Sequence, residues 1–397
     1  MMMSAEQREV VIVGAGPAGA ATAAWLADAG HDVLLLDRAH FPRRKPCAEC
    51  VNPAGVDALR RLGVWREVMC AGPARLDGWR IGPHGGDTFE GCFPGGVHGI
   101  GISREVLDHI LFRHAAARGA QTRTGVRVTD VVRDARGAAA GVRVQGEDGE
   151  REIRARLVIG ADGLRSVVLR RLDLLRRRPR LRKLALTAHV SGFRGAPGRG
   201  EVHVTGRRAC IGIAPVGGGL ANVTVVIPDE RSKEVAGDAD GFFDAALAAH
   251  GFGALTRVDE VMATGPFDCP VRSAVADGAL LVGDAAGYYD PFTGQGIFRA
   301  LRGAELAAQT AHAALLAGDT SALALAPYER ARRRAFAPGE RMQRIVESFV
   351  SRPALLGTIA RRFTARPSLA DAVIHVTGDV APAGSLFTPG FWARLVW

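Results

Sequence analysis

A short apolar segment followed at once by spaced glycines constrains the fold more than any other feature of this sequence. Val10–Val13 is fully apolar, which is typical of a buried parallel strand, and residues 14–19 then read G-A-G-P-A-G. An alanine-rich helix over 20–29 and a second apolar strand, Val33–Leu36, follow. This βαβ pattern predicts an α/β fold with a Rossmann-like parallel sheet.

The glycines occupy the positions at which a phosphate-binding turn needs them. Gly14 permits the tight turn, Gly16 lets a pyrophosphate approach the backbone, and Gly19 lets the helix pack against the strand. The helix N-terminus adds free N–H groups and a partial positive charge. Asp37 closes the second strand at the spacing expected of a carboxylate that binds ribose hydroxyls. The unit predicts a dinucleotide site, but it does not decide between FAD and NAD.

Two later motifs decide between these cofactors. Residues 157–163 form an apolar strand that runs into an Asp-Gly turn, and residues 280–287 form another that ends in Gly-Asp. The segment 291–296, P-F-T-G-Q-G, then leads into a predicted helix over 297–314. In this order and spacing the motifs resemble the FAD-binding signature of the p-hydroxybenzoate-hydroxylase-like flavoproteins. That superfamily includes aromatic hydroxylases, flavin halogenases and geranylgeranyl reductases, and the resemblance covers residues 8–330.

The resemblance implies a role for each matching position. Asp284 would hold the ribityl and pyrophosphate region, and the backbone of Gly294–Ile297 would lie beside the flavin pyrimidine ring. Asp162 would support the site, Arg104 would reach the phosphates, and Val126–Val128 would pass near the adenine. The predicted cofactor-binding residues are Gly14, Gly16, Pro17, Ala18, Gly19, Asp37, Arg38, Arg44, Lys45, Arg104, Val128, Asp162, Gly163, Gly283, Asp284, Gly294, Gly296 and Ile297. The implied cofactors are FAD and NAD(P)H, the latter as a transient electron donor.

Candidate catalytic residues lie in two segments beside the expected flavin. The predicted catalytic residues are Cys47, Tyr288 and Pro291. Cys47 matches a cysteine that passes beside the flavin ring in geranylgeranyl-reductase-like proteins. With Cys50 it could form a redox pair, bind zinc or simply pack; zinc would need two further ligands, so no metal site is predicted. Tyr288 could face the substrate or pack. Further candidates for acid–base chemistry are His84, His98, His189 and His203.

The positions of the motifs predict how the chain divides. Alternating apolar segments between the motifs predict an antiparallel sheet that forms a substrate domain. The predicted units are a discontinuous FAD-binding domain (1–75, 100–175 and 270–330), a substrate domain (76–99 and 176–269) and a helical C-terminal region (331–397).

The predicted substrate sheet departs from the family pattern. Cys210, Gly212 and Ala214 stand where geranylgeranyl reductases and many halogenases carry aromatic residues. This loss predicts a roomy pocket and disfavours both of those activities. Lys183 and Lys233 lie in polar segments and are expected to be exposed, which leaves no candidate for the catalytic lysine of a halogenase.

Three functions remain open on these grounds. The first hypothesis is an FAD-dependent monooxygenase that hydroxylates an aromatic or polyketide-like apolar molecule of secondary metabolism with NAD(P)H and O₂. The alternatives are a geranylgeranyl-reductase-like enzyme that saturates isoprenoid double bonds and a flavin electron-transfer protein. The fold cannot choose among them, because one scaffold hosts several chemistries.

Charge and hydropathy bear on the partners. The net charge is +10, and it comes almost entirely from arginine. No aromatic-plus-basic motif indicates nucleic acid binding. The basic run 174–183 and the aromatic tail 387–397 leave contact with a membrane surface, a reductase or a ferredoxin open beside ordinary solvation and packing. No signal peptide or long apolar run is visible, so a cytoplasmic protein is expected, with peripheral contact to the membrane as an open alternative.

Overall fold

The computed structural model describes residues 6–147, 149–181 and 183–396, apart from the side chains of Pro291 and Val396. The strands are β1 (Glu6–Val13), β2 (Val33–Leu36), β3 (Cys50–Val51), β4 (Ala74–Leu76), β5 (Gly78–Pro83), β6 (Phe89–Cys92), β7 (Gly99–Gly101), β8 (Gln121–Arg123), β9 (Arg127–Arg133), β10 (Ala139–Gly146), β11 (Gly149–Gly160), β12 (Lys183–Ser191), β13 (Arg199–Gly206), β14 (Ala209–Gly217), β15 (Leu220–Pro228), β16 (Thr256–Arg257), β17 (Met262–Thr264), β18 (Val275–Ala276) and β19 (Ala279–Leu281).

Helices connect and cover these strands. They are α1 (Pro17–Asp28), α2 (Pro53–Leu62), α3 (Trp65–Cys70), α4 (Arg104–Ala117), α5 (Val167–Arg171), α6 (Ser232–Val235), α7 (Ala239–Ala249), α8 (Gly296–Ala317), α9 (Ala322–Val350), α10 (Pro353–Ala365), α11 (Pro367–Thr377) and α12 (Pro389–Val396). Short 3₁₀ turns occupy Asp229–Arg231, Gly283–Ala286, Pro291–Thr293 and Ala383–Phe387. Across the described residues, no helix is both long and apolar enough to span a bilayer.

A Rossmann-like sheet forms the first layer, as predicted. Its strand order is β18-β19-β11-β1-β2-β8, and the five strands from β19 to β8 are parallel. The apolar segment Val10–Val13 is buried between β2 and β11. Because the chain leaves β1 toward β2 on one side and β11 lies on the other, their carboxyl ends form the crevice in which such sheets bind ligands.

The second large sheet has the strand order β16-β12-β15-β14-β13-β5-β6, with β17 also paired to β12. It is antiparallel as predicted, except that β5 and β13 run parallel. Whether the predicted residue ranges form domains that fold independently stays a prediction. A small third sheet has the strand order β3-β7-β4.

The C-terminal helices pack on both sheets. Tyr328 of α9 donates a hydrogen bond from its hydroxyl to the Leu281 carbonyl of β19 over 2.8 Å. Phe363 of α10 packs edge-on against Phe89 of β6, with 4.8 Å between ring centroids. Gly91 of β6 has Ile374 of α11 so close that a Cβ there would lie 2.4 Å from its side chain. The predicted helical C-terminal region is therefore confirmed, and it packs against the edge strand β6 and its neighbour β5.

The tight approach at Gly19 yields a first prediction. A Cβ at this position would lie 1.8 Å from the Gly14 carbonyl oxygen, so the turn or helix α1 must shift. We expect Gly19→Ala to lower the free energy of unfolding by about 1–3 kcal/mol, measured by urea denaturation. Gly384→Ala is the control, because a Cβ at position 384 meets open space. Equal urea midpoints for the two variants would contradict the predicted crowding.

Candidate active site

The glycine-rich turn lies at the carboxyl ends of β1 and β11. Gly14 has φ +96°, and a Cβ there would lie 2.6 Å from the Ala161 carbonyl oxygen at the end of β11. Helix α1 begins with Pro17 and has no side-chain cap, so its first N–H groups remain free. The turn therefore leaves room and N–H donors for an anion.

Two arginines face this turn. A Cβ on Gly16 would lie 3.7 Å from a terminal nitrogen of Arg104 and 3.8 Å from one of Arg43. Arg104 forms a two-pronged pair with Asp108 at 2.6 and 2.7 Å, and Arg43 contacts the same carboxylate at 3.1 Å. Burial opposes the charge of Arg104, but Asp108 outweighs it and raises the pKa of the guanidinium. Arg104 therefore stays charged beside the turn.

The remaining charges of the crevice also fit a pyrophosphate. Lys45 is half-buried near Asp284, and desolvation followed by repulsion from Arg104 lowers its pKa. Burial raises the pKa of Asp284, which Lys45 and Arg104 partly offset. One carboxylate oxygen of Asp162 is buried without a hydrogen-bond partner, while the other accepts the Val167 N–H over 2.6 Å. Three cations, Arg43, Arg104 and Lys45, therefore surround the turn and can bind a phosphate.

Other predicted cofactor residues are less directly placed. Asp37 uses one carboxylate oxygen to accept the Ala15 N–H over 2.8 Å, so it also stabilises the turn itself. Arg44 points away, because it pairs with Asp259 at 2.9 Å. Arg43, its neighbour in the same basic run, occupies the position beside the turn. Arg38 is exposed, and the segment before Val128 reaches the site through the Val126 N–H, which donates to the Asp37 carbonyl.

The loop before α8 lies at the same crevice. Gly283 and Asp284 form a 3₁₀ turn directly after β19, and a Cβ on Gly283 would lie 2.8 Å from Ala18 of α1. Gly294 has φ +66°, and the 22-residue helix α8 starts at Gly296 without a side-chain cap. Its free N-terminus can stabilise negative charge on a reduced flavin.

Cys47 lies between this loop and the arginines. Its thiol lies within hydrogen-bonding reach of Arg104. It is also close enough to Tyr288 to contribute to raising the pKa of that phenol. Both Cys47 and Cys50 are free thiols, and burial raises the pKa of Cys50. Cys50 is therefore poorly suited to act as the thiolate of a redox pair. Tyr288 packs beside Phe267, with 5.8 Å between ring centroids, and burial raises its pKa well above the ordinary value.

His189 forms a charged bridge from the second sheet to the cysteine segment. Its two ring nitrogens contact Glu49 at 2.6 Å and Asp259 at 2.7 Å. The other carboxylate oxygen of Glu49 accepts the backbone N–H of Arg104 over 2.7 Å. The hydrogen bond that the His189 ring donates to Glu49 raises the pKa of His189 to about 9, against the opposing effect of burial. His84 and His203 lie elsewhere, packed near His250 in a cluster of imidazoles.

Lys183 corrects an expectation from the sequence. It was predicted to be exposed, but it is only 4% exposed and pairs with Asp290 at 3.0 Å and Glu347 at 3.1 Å. Sequence reasoning failed because the neutralising carboxylates lie more than a hundred residues away. Asp290 lies in the segment 287–295 before α8, here called the flavin loop, and Glu347 lies on α9. The pair ties β12 to both elements.

A second polar network fastens the C-terminal region to the flavin loop. Asp379, which follows α11, accepts hydrogen bonds of 2.8 Å from Gln295 at the start of α8 and from Asn52 at the start of α2. Burial raises the pKa of Asp379 to about 6. Gln343 of α9 donates to Thr293 over 2.9 Å. No sequence motif pointed to Asp379, since its partners are distant in the chain.

A large apolar cavity opens beside this loop. It comprises about 1010 Å³ of space between atoms, counting its open mouth, and its inner end reaches Phe292 and Thr293. Its lining residues share an apolar character and carry no charge. They are Trp79, Ile81, Phe89, Val202, Phe292, Thr293, Met342, Ile345, Val346, Phe349, Val350, Leu356, Ile359, Phe363, Val373, Ile374, Thr377, Leu386, Phe387, Phe391, Trp392 and Leu395.

The cavity also corrects the expected loss of an aromatic wall. Cys210 and Ala214 of β14 are indeed small, but Trp79 of β5 packs against the clusters that contain each of them. Further aromatic residues come from the flavin loop and the C-terminal helices. The aromatic surface is thus supplied by other elements, and small residues on β14 are no argument against an isoprenoid chain.

Comparison with known proteins agrees with this geometry. The model of the FAD binding domain family matches residues 7–340. The chain belongs to this family. It is therefore an FAD-dependent oxidoreductase, and the superfamily resemblance drawn from the motifs is confirmed.

Several relatives are reductases by name. The chain is 33% identical over 339 residues to digeranylgeranylglycerophospholipid reductase 1 of Methanopyrus kandleri, which covers 81% of this chain and 84% of that protein. It is 31% identical over 320 residues to menaquinone reductase of Mycolicibacterium smegmatis, covering 76% and 75%. A geranylgeranyl bacteriochlorophyll reductase-like structure from Thermoplasma acidophilum has the same fold, with a TM-score of 0.78, 20% identity and coverage of 99% and 96%.

Lys45 provides a test of the phosphate site. Its half-buried ammonium group lies near Arg104 and Asp284 in the crevice, so its charge should contribute to FAD binding. We expect Lys45→Met to weaken FAD binding about tenfold to a hundredfold, measured by fluorescence titration of the apoprotein. The control is Lys233→Met, which removes an exposed lysine. An unchanged FAD affinity in Lys45→Met would refute the assignment.

The bridge at His189 predicts a pH dependence. A raised folded-state pKa stabilises the protein fully below about pH 6.5, the ordinary value, and this contribution is lost as the pH rises through about 9. We expect the stability advantage of wild type over His189→Asn to shrink by about 1–2 kcal/mol between these limits, allowing for solvent screening. Urea denaturation measures it, with the exposed His40→Asn as control. A difference independent of pH would exclude a charged bridge.

Proposed function

We propose that this protein is an FAD-dependent reductase that saturates carbon–carbon double bonds in the isoprenoid chain of a lipid. The observation that carries the proposal is the uncharged cavity that runs from the flavin loop to the surface. Digeranylgeranylglycerophospholipids and menaquinone, the lipids in the names of two relatives, both carry isoprenoid chains. An apolar, flexible chain suits a cavity whose walls are almost entirely apolar and carry no charge.

The chemistry assigns separate tasks to the cofactor and the protein. Saturating one double bond adds a hydride to one carbon and a proton to the other, and bound FAD supplies the hydride when it is reduced. Tyr288 is the candidate proton donor, because burial keeps its hydroxyl protonated. Its ring packs in the same apolar cluster as Phe292 and Val346, both of which line the cavity.

The remaining residues orient the reactants and exclude water. Lys183 holds Asp290, whose other carboxylate oxygen accepts the Phe292 N–H over 2.8 Å, so the loop at the inner end of the cavity is fixed. The arginines Arg43 and Arg104 beside Gly16 would hold the pyrophosphate of FAD. An apolar wall around the double bond limits the access of water to the hydride.

The monooxygenase, the first hypothesis from the sequence, ranks second in this proposal. Its main support was the missing aromatic wall on β14, and Trp79 removes that support. The experiment described next also compares candidate electron donors, namely NAD(P)H, a reductase or a ferredoxin.

One anaerobic experiment separates the two functions. The FAD-loaded protein is reduced with NADPH, with reduced ferredoxin or with dithionite, and is then mixed with a detergent-dispersed digeranylgeranyl lipid or menaquinone. A reductase adds two hydrogens to the isoprenoid chain for each bond saturated, and mass spectrometry detects this gain after any quinol formed has been oxidised back to the quinone. A lipid that keeps its mass under all three donors, and gains an oxygen atom in air, would replace the proposal with the monooxygenase.

Blocking the cavity should affect long substrates selectively. Val346 lies on α9 in contact with the cluster at the inner end of the cavity. We expect Val346→Trp to lower turnover of a long isoprenoid lipid about tenfold or more, while FAD content and flavin reduction by dithionite are retained. The control is Val258→Trp at an exposed position. Equal turnover in both variants would show that the substrate does not enter here.

A further inference from the structure

We propose that the mouth of the cavity, formed by α10, the turn Ala383–Phe387 and α12, docks onto the surface of an anionic phospholipid bilayer. The inference deepens the proposed function and rests on it, because the substrate lipid would enter the cavity from that bilayer. Its basis is an unusual combination of exposed apolar residues and unpaired arginines around one opening.

Aromatic residues mark the opening. Phe387 and Trp392 line the cavity and are still 45% and 39% exposed, so their rings reach from its wall to solvent. Leu355 on α10 is exposed beside Leu356, which lines the cavity. Exposed aromatic and aliphatic side chains around an apolar channel are suited to the boundary between headgroups and acyl chains.

Helix α10 places positive charge at the same rim. Arg352, Leu355, Ile359 and Arg362 follow one another at intervals of three and four residues, so they form a stripe along one face. Ile359 lines the cavity, which fixes this stripe at its edge. In the described chain, neither Arg352 nor Arg362 forms an ion pair. The guanidinium of Arg352 donates a hydrogen bond to the Ser348 hydroxyl over 3.1 Å.

The acidic residues of this region are turned inward. Residues 351–397 contain five arginines and two aspartates. Asp371 accepts the Cys92 N–H over 2.8 Å, and Asp379 is held by Gln295 and Asn52. One of the arginines, Arg361, pairs with Asp87 at 3.1 Å. The outer face therefore keeps positive charge without matching carboxylates, and such a face is attracted to anionic lipids.

Flotation with vesicles tests this surface. The FAD-loaded full chain is mixed with vesicles of phosphatidylcholine alone, or of phosphatidylcholine and phosphatidylglycerol in equal parts, and floated through a density gradient. We expect binding to the anionic vesicles only, weakened by salt. The double variant Arg352→Gln with Arg362→Gln should bind the anionic vesicles about tenfold more weakly than wild type. Arg66→Gln with Arg136→Gln, which removes two exposed arginines elsewhere, should bind like wild type.

A second pair of variants tests the apolar part. Phe387→Ser with Trp392→Ser should reduce vesicle binding about tenfold. Leu316→Ser with Leu323→Ser should not, although Leu316 and Leu323 are 72% and 84% exposed, because they lie at the turn between α8 and α9. FAD content and the thermal midpoint establish that each variant is folded.

The outcomes separate this surface from the reaction itself. Wild type that fails to float with anionic vesicles, or control variants that lose binding as much as the rim variants, would overturn the docking surface. If wild type reduces a detergent-dispersed lipid but shows no vesicle binding, the proposed function stands without the surface. If the rim-dependent binding is found but no lipid is reduced, the proposed function fails and the surface stands.

Discussion

The buried pair between Arg104 and Asp108 is the interaction on which the rest of the site depends. It holds one guanidinium at the glycine-rich turn, and Asp108 positions Arg43 there as well. The backbone of Arg104 binds Glu49, and Glu49 binds His189 of the second sheet. A single chain of polar contacts thus runs from the glycine-rich turn, past the cysteine segment, to the second sheet. Removing Asp108 would leave a buried charge unpaired, which costs several kcal/mol.

Much of this arrangement could be predicted because it rests on local rules. The apolar strand Val10–Val13, the glycine spacing after it and the Gly-Asp turn at Asp284 each depend on neighbours within a few residues. The parallel sheet, the antiparallel sheet and the C-terminal helices follow from such patterns and were predicted correctly. Arg104 is buried beside Gly16, in a position that matches the phosphate contact expected from the family resemblance.

The failures come from contacts between distant parts of the chain. Lys183 looks like a surface lysine in its own segment, yet Asp290 neutralises it from 107 residues away. Glu49 and His189 are separated by 140 residues, and nothing near either residue announces the other. The missing aromatic residues of β14 led to the same kind of error, because Trp79 fills that side of the cavity from another strand. A sequence read alone gives the chemistry of a segment but not the partners that decide its charge or its shape.

The cavity walls have a consequence for how such a protein can change. The family match ends at residue 340. Most of the residues that line the cavity, those from Met342 to Leu395, lie beyond it. Most of the cavity wall and the glycine-rich turn are therefore encoded in successive stretches of the polypeptide. Substitutions between residues 342 and 395 can change the shape of the cavity without touching that turn. Asp379 and Glu347 join this C-terminal part of the wall to the rest of the protein.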